Sequence, residues 1–497
     1  MSHVHTCCGA PAGFTRRNFL AGATLLPAVA APAPETLTPK RQALVIQPVL
    51  IYQIYKRREQ TSWRPWGGLF TEKEVAEEKD RIGREMAALK KTAEFPLVIR
   101  ELRTATTVEE GRAAGGGDHD ALLMIAATGP ARILDAVAAG QKNTIIFVRH
   151  RSGPVSEWYE IVSPRFLRKA VDEFGEPGLG VEDVVVDDPD ELMMRFRALA
   201  AVKNTMGRRI VALGGAAGWS VGGRRAPQLA KDVWKLDIVP VSYDDLGVRI
   251  KAARADEARV KKTRVLAAAF LADKTVKLET KREYVENAYL LADVLRGVMS
   301  ELNADAITIN NCMSTIMPIG ETTACLPLSI LNDEGALAFC ESDFVVIPSG
   351  ILLNAISSKP VFLNDPTYPH HGLITLAHCT APRKLDGKTK EPVRVLTHFE
   401  SDYGAAPKVE MRKGQVLTNI IPDFNARRWV GFKGSVLGSP FLPICRSQID
   451  CGIDASDQKL ALEMKGFHWM TGYGDYRREL GYALRKAGVE WLDLTKA

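Results

Sequence analysis

The sequence predicts an α/β protein with two parallel-sheet domains, followed by a smaller, mostly antiparallel β domain of barrel type. Three observations carry that expectation. Apolar runs rich in β-branched residues alternate with amphipathic segments from residue 43 onward. The alternation starts afresh at "RRIVALGG", residues 208–215. Beyond about residue 356 the runs are short and punctuated by Gly and Pro, with a helical pattern only at the C-terminus. The expected boundaries are 1–34 for an export signal and spacer, 35–195 and 196–355 for the α/β domains, and 356–497 for the β-rich domain with a final helix.

In chain order, "ALVIQPVLIY" reads as a strand buried on both faces. "EKEVAEEKDRIGREMAALKK" follows as a helix charged on one side. "PLVIREL", "ALLMIAA" and "TIIFVRH" are strands, with a helix at "GPARILDAVAAG" before the last of them. In the second series "VWKLDIVPVS" and "ADAITINNC" are strands. Between them lies the helical "YVENAYLLADVLRGVMSELN", whose Tyr289, Ala292, Leu295 and Met299 recur at helical spacing and face the core. "PVRVLTHFE", "KVEMRKGQVLTNIIP" and "RRWVGFKGSVLGS" read as antiparallel strands of the barrel. "YGDYRRELGYALRKAGVEWLDL" reads as the closing helix.

A hydrophobic content of 46% and a charged content of 25% are those of a soluble globular chain. The net charge of +6 falls to about +4 without Arg16 and Arg17, a weak case for a polyanion partner. Basic residues do not gather with aromatics, so nucleic acid is not expected; "RVKKTR" at 259–264 reads as a solvated helix face. The N-terminal "TRRNFLAGATLLPAVAAPAP" has paired arginines, a short apolar run and small residues, the order of an export signal, with cleavage near Ala30. Paired arginines before Asn-Phe-Leu resemble the twin-arginine signal, which addresses folded proteins to export. The expected location is therefore periplasmic or extracellular. No apolar run in the sequence is long enough for a stable membrane anchor. Six cysteines lie beyond the signal without CxxC spacing, which fits neither a zinc knuckle nor a dense disulfide framework. Several sit in apolar runs, as core thiols do. Cys445 and Cys451 are the expected pair if any is bridged.

"LGGAAGW" (213–219) lacks both the G-x-G-x-x-G and the Gly-Lys-Ser/Thr patterns, and reads as the tight turn of an α/β unit; "GGG" at 115–117 reads as a loop. The chemistry concentrates in 320–380. Glu341, Asp365 and His378 stand at the ends of apolar runs, where α/β proteins place their sites. His468 lies in the Gly-flanked "MKGFHWMTGYG". Two carboxylates with one or two imidazoles form a mixed O/N donor set suited to Mn²⁺, Fe²⁺, Co²⁺ or Zn²⁺. Each residue alone also has an ordinary reading, as a cap, a turn or a surface ion pair. Asp343 reads as a neighbour of Glu341 that caps the next element. His150 and His398 read as structural, and His370 and His371 as an exposed pair.

From about residue 285 onward the chain resembles the L-fucose isomerase and L-arabinose isomerase superfamily. "CESD" supplies Glu341; "PVFLNDP" supplies Asp365, 24 residues on; "GFHWMTGYGDYRREL" supplies His468; "AHCTAP" offers His378. The N-terminal half is similar only as an architecture of two Rossmann-like layers, and His468 is followed by Trp469 where the family continues with a polar residue. The resemblance implies a Mn²⁺-dependent aldose–ketose isomerase acting on a pentose or deoxyhexose through an enediolate. Glu341 and Asp365 would serve as acid/base pair and metal ligands, His468 and His378 would complete the coordination, and the assembly would be a homo-oligomer. Other classes remain open on the same residues: a glycoside hydrolase using the two carboxylates, an epimerase on the same metal scaffold, or an exported carbohydrate-binding protein without turnover.

Overall fold

The computed structural model describes residues 39–56, 59, 69–140, 143–173 and 179–495. The export-signal reading falls on residues outside that set. The fold is α/β, with two parallel sheets followed by a closed antiparallel barrel. The first sheet holds β1 (Leu44–Ile51), β2 (Leu97–Ile99), β3 (Arg103–Ala105), β4 (Ala121–Ala126), β5 (Asn143–Val148) and β6 (Val184–Val186). Its order is β2-β1-β4-β5-β6, β3 sharing the β2 flank of β1, and every pairing is parallel. All six residues of β4 are buried. That is why this strand shows an unbroken apolar run rather than an alternation: helices cover both faces of a parallel sheet.

One close approach fixes how two of those helices pack. Gly115 ends the helix Val108–Gly115, and a Cβ there would lie 2.1 Å from the Val137 carbonyl oxygen in the neighbouring helix Ala131–Ala138. Gly115→Ala must push helix backbones apart. It is expected to lower stability by about 1–3 kcal/mol, read as a lower urea midpoint at unchanged slope.

The helix Pro189–Thr205 leads to the second sheet; Asp188 accepts the amide hydrogens of Asp190 and Glu191, with Pro189 in its first turn. That sheet comprises β7 (Arg209–Leu213), β8 (Asp237–Val241), β10 (Ala306–Ile309) and β11 (Leu337–Cys340), in the parallel order β11-β10-β7-β8. β9 (Val276–Leu278) lies outside it. Tyr289, Ala292, Leu295 and Met299 are all buried in the helix Arg282–Glu301, as their spacing predicts. Lys261, Lys262 and Arg264 are exposed in the helix Glu257–Ala272.

The C-terminal strands are β12 (Phe362–Pro366), β13 (Leu373–His378), β14 (Val393–Leu396), β15 (Ala406–Val409), β16 (Val416–Ile421), β17 (Arg428–Gly438), β18 (Ser447–Ile453), β19 (Trp469–Tyr473) and β20 (Glu490–Asp493). The ring β16-β19-β12-β13-β18-β17 closes because β17 also pairs with β16, and each of its pairings is antiparallel. Closure removes the sheet edges.

Three sequence expectations need correction here. "PVRVLTHFE" and the start of "KVEMRKGQVLTNIIP" form β14 and β15 of a separate three-stranded sheet with β9, and only β16 enters the barrel. The three-residue β9 is too short to show a periodicity. The closing helix spans only Arg477–Lys486: Gly488 turns the chain at φ +78°, Val489 N–H returns to the Leu484 carbonyl at 2.8 Å, and β20 pairs in parallel with β17. Cys445 and Cys451 are both free thiols. Cys451 is buried in the barrel strand β18 beside Asn419, whereas Cys445 packs with Cys325 and Cys379.

A single apolar cluster runs from Leu44 in β1 through Phe196 to Ile351 and Leu352 of the helix Ile347–Ser357, and on to Met470 of β19. The first sheet, the second sheet's last helix and the barrel therefore share one core, which takes in Phe344, Val345 and Val346 just after Glu341.

Candidate metal centre

The centre lies where the carboxyl ends of the second sheet meet the rim of the barrel. β11 ends at Cys340, and Glu341 and Ser342 follow with φ of 62° and 47°. Two successive non-glycine residues in the left-handed region cost on the order of 1–3 kcal/mol each unless their surroundings impose it. Here they do. Ser342 N–H donates to Thr308 Oγ1 at 3.1 Å, Ala217 N–H to the Ser342 carbonyl at 3.2 Å, and Phe344 N–H to the Ala217 carbonyl at 3.0 Å. The turn that lifts Glu341 out of the sheet is thus clamped by the loop after β7 and by β10.

Strand register supplies the other side. In the antiparallel pair β12–β19, Asn364 faces Trp469, so the next step brings Asp365 opposite His468. In β12–β13, Asp365 faces Ala377, which sets His378 beside it. The same alternation turns the Trp469 side chain the other way, fully buried against Phe432 in the barrel core.

The structure brings together all four expected residues. His468 Nε2 lies 3.3 Å from Glu341 Oε2 and 3.3 Å from Asp365 Oδ1, and His378 Nε2 lies 3.8 Å from Glu341 Oε1. Each imidazole is held at its other nitrogen. His468 Nδ1 meets Asp343 Oδ2 at 2.8 Å, and His378 Nδ1 meets Thr380 Oγ1 at 3.0 Å. Both therefore present Nε2 to the same space. Asp365 Oδ1, His378 Nε2 and His468 Nε2 are buried and make no hydrogen bond; they face only one another and Glu341, at 3.3–3.8 Å. Such a desolvated set of donors and acceptors is one that a cation would complete. The atoms that Asp365, His378 and His468 offer all lie within 4.8 Å of one another, a spread that one cation can span. The donor set of carboxylate oxygens and imidazole nitrogens fits a divalent ion such as Mn²⁺.

The electrostatics separate the two carboxylates. Burial opposes ionisation of Glu341, but the imidazoles of His378 and His468 hold its carboxyl well below the usual carboxylate range. Burial lifts Asp365 above its ordinary value, against the pull of the same two imidazoles and with help from the Glu341 charge. Burial alone would lower His468; Asp343, Glu341 and Asp365 together raise it to about 10. A cation needs a bare Nε2, so the proton competes with it. Below that value affinity must climb with pH, roughly tenfold per unit for one displaced proton. Mn²⁺ titrations between about pH 6 and 8 check this; a flat profile would show that His468 does not ligate.

Glu341, Asp365 and His378 line a cavity of about 450 Å³. Glu341 keeps 38% of its side chain exposed there, so it remains within reach of a bound molecule. Trp219 and Phe467 stack at a centroid distance of 4.2 Å on its wall, each about 40% exposed. Another cavity, of about 370 Å³, lies at the start of β7 among Lys203, Arg208 and Arg209. Those cations are already paired with Asp120, Asp305 and Asp237.

Asp343 does more than sequence reasoning assigned it. Its Oδ1 accepts from Val345 N–H and Trp219 N–H, as a cap would, while Oδ2 orients His468. The "LGGAAGW" turn also proves to be a wall of the site, through Trp219. His370 and His371 are exposed and hydrogen-bonded to each other, outside the centre. His150 stacks on Tyr159, also apart from it. No known protein family matches the chain, and no curated protein does.

Proposed function

We propose that the chain is a divalent-metal-dependent aldose–ketose isomerase acting on a pentose or deoxyhexose, with Mn²⁺ as its cation. The observation that carries this reading is the convergence of Asp365, His378 and His468, whose ligand atoms lie within 4.8 Å of one another, with Glu341 Oε2 3.3 Å from His468 Nε2 on the cavity side. When bound there, a divalent cation supplies a Lewis acid that stabilises negative charge developing on two neighbouring sugar oxygens.

The chain's own groups account for the rest. Converting an aldose to a ketose moves a proton between adjacent carbons and leaves enediolate character in between. Glu341, reachable from the cavity, and Asp365 beside it are the two carboxylates that would pass the proton between the carbons. The Trp219–Phe467 pair offers apolar ring faces to the C–H face of a sugar. The same exposed pair favours a second reading, an exported sugar-binding protein without turnover.

In this proposal the protein is exported folded and works as a homo-oligomer. Cu²⁺ and Zn²⁺ outcompete Mn²⁺ at most N/O sites, so loading before export would protect the intended metal. Among the described residues, no helix is long and apolar enough to cross a membrane. The decisive experiment is metal analysis of the purified chain, paired with a screen of pentoses and 6-deoxyhexoses with and without chelator. Chelator-sensitive interconversion of one aldose–ketose pair is expected. Sugar binding without turnover or metal would select the second reading, and turnover that survives chelation would end the isomerase assignment.

A further inference from the structure

Five of the six cysteines beyond residue 38 line the same cavity, although they are scattered from residue 312 to 445. Four separate elements deliver one group of them. Cys325 begins the helix Cys325–Asp333, Cys379 follows β13 directly, Cys445 lies in the loop before β18, and His398 follows β14. Sulfurs of Cys325 and Cys379 and a ring nitrogen of His398 all lie within 4.8 Å of one another. Cys445, half-buried, packs against Cys325 and Cys379. Cys325, Cys379 and His398 are buried.

The surroundings are those of a ligand set rather than of core packing. Arg446 N–H donates to Cys379 Sγ at 3.4 Å, a donor aimed at sulfur that favours a thiolate. His398 Nδ1 is held by Ser401 Oγ at 3.2 Å, which leaves Nε2 to coordinate. Arg446 is itself fixed through its Nε to the Thr397 carbonyl at 2.8 Å, which ties the Cys445 loop to the His398 segment. Two thiols and one imidazole lie within ligand reach of one another, and Cys445, packed against the same cluster, is the side chain that would complete the Cys₃His donor set of tetrahedral zinc sites.

We propose that Cys325, Cys379, Cys445 and His398 form a second, thiolate-rich cation site, selective for Zn²⁺ or another borderline-soft ion, beside the carboxylate–imidazole centre. Adjacent residues at the end of β13 serve the two: His378 faces the oxygen-rich set and Cys379 the sulfur-rich set. Ligand softness then sorts the metals, the thiolates taking zinc and the carboxylates taking the harder ion. Zinc held in this way would also keep three neighbouring thiols from oxidising to one another.

The test uses the full chain carrying Glu341→Gln, which weakens the carboxylate–imidazole centre, and reads the zinc whose retention depends on the cysteines rather than on Asp365, His378 and His468. After Zn²⁺ is added and excess removed, this variant is expected to retain about one zinc per chain. A mercurial that titrates its thiols should release that zinc stoichiometrically. Co²⁺ in place of zinc should give thiolate-to-cobalt charge-transfer absorption. Adding Cys379→Ser or Cys325→Ser should abolish retention, whereas Cys451→Ser, in the barrel core, should leave it intact. No retained zinc in Glu341→Gln, or retention unchanged by Cys379→Ser and Cys325→Ser, would overturn the proposal. So would a disulfide among Cys325, Cys379 and Cys445 in protein prepared without oxidant.

Discussion

Glu341→Gln is expected to abolish metal-dependent turnover, with a loss of at least about three orders of magnitude, while the chain stays folded. The substitution keeps the shape of the side chain and the clamped turn that carries it, since the clamp is made by backbone groups of Ala217, Ser342 and Phe344 and by the Thr308 hydroxyl. It removes the one carboxylate that both imidazoles hold in its ionised form. Stability tells the two effects apart. In the parent protein, Mn²⁺ at about a hundred times its dissociation constant should add roughly 2.7 kcal/mol, because it binds the folded chain only. In Glu341→Gln that increment should shrink towards zero. The metal-free chain should be less stable than the parent at neutral pH, since His378 and His468 lose the carboxylate that they hold ionised. Thermal melts with and without Mn²⁺, beside turnover of the identified sugar, give both numbers. A variant that keeps the full Mn²⁺ shift and full activity would remove Glu341 from the centre.

How much of this was legible in the sequence follows from the range of each signal. Parallel strands buried on both faces announce themselves as apolar runs, so β1, β4 and β5 could be read directly. Glu341, Asp365 and His378 stand at the ends of such runs, and strand ends are where the fold gathers its functional groups. β9 and β20 were not legible. Each has three or four residues and depends on a partner far along the chain, β14 for one and β17 for the other. The cysteine cluster escaped for a similar reason. CxxC spacing reports a site built within one loop, whereas Cys325, Cys379 and Cys445 meet only once the helix after residue 324, the end of β13 and the loop before β18 are packed together. Asp343 was legible as a cap from local sequence alone. Its second oxygen reaches His468 across 125 residues, which no local pattern encodes.

That second oxygen carries the other large expected effect. Asp343→Asn should weaken metal binding by about 10- to 100-fold without unfolding the turn. An asparagine can still accept the Val345 and Trp219 amide hydrogens through its carbonyl oxygen, as Oδ1 does now at 3.1 and 3.2 Å. Its amide group then faces His468 Nδ1, where Asp343 Oδ2 now sits at 2.8 Å. A donor at that position makes Nδ1 the acceptor and places the ring proton on Nε2, the nitrogen needed by the cation. In the proposed centre the carboxylate would act as a positioning group that selects the ligating tautomer, and its charge also helps to hold His468 high in the metal-free protein. Two measurements separate this role from plain capping. Metal affinity should fall while the metal-free melting temperature barely moves. The pH dependence of affinity should flatten near neutrality, because His468 gives up its proton more readily once the Asp343 charge is gone. If Asp343→Asn binds Mn²⁺ like the parent protein and only lowers stability, Asp343 is a turn cap and His468 is oriented by the barrel rim alone.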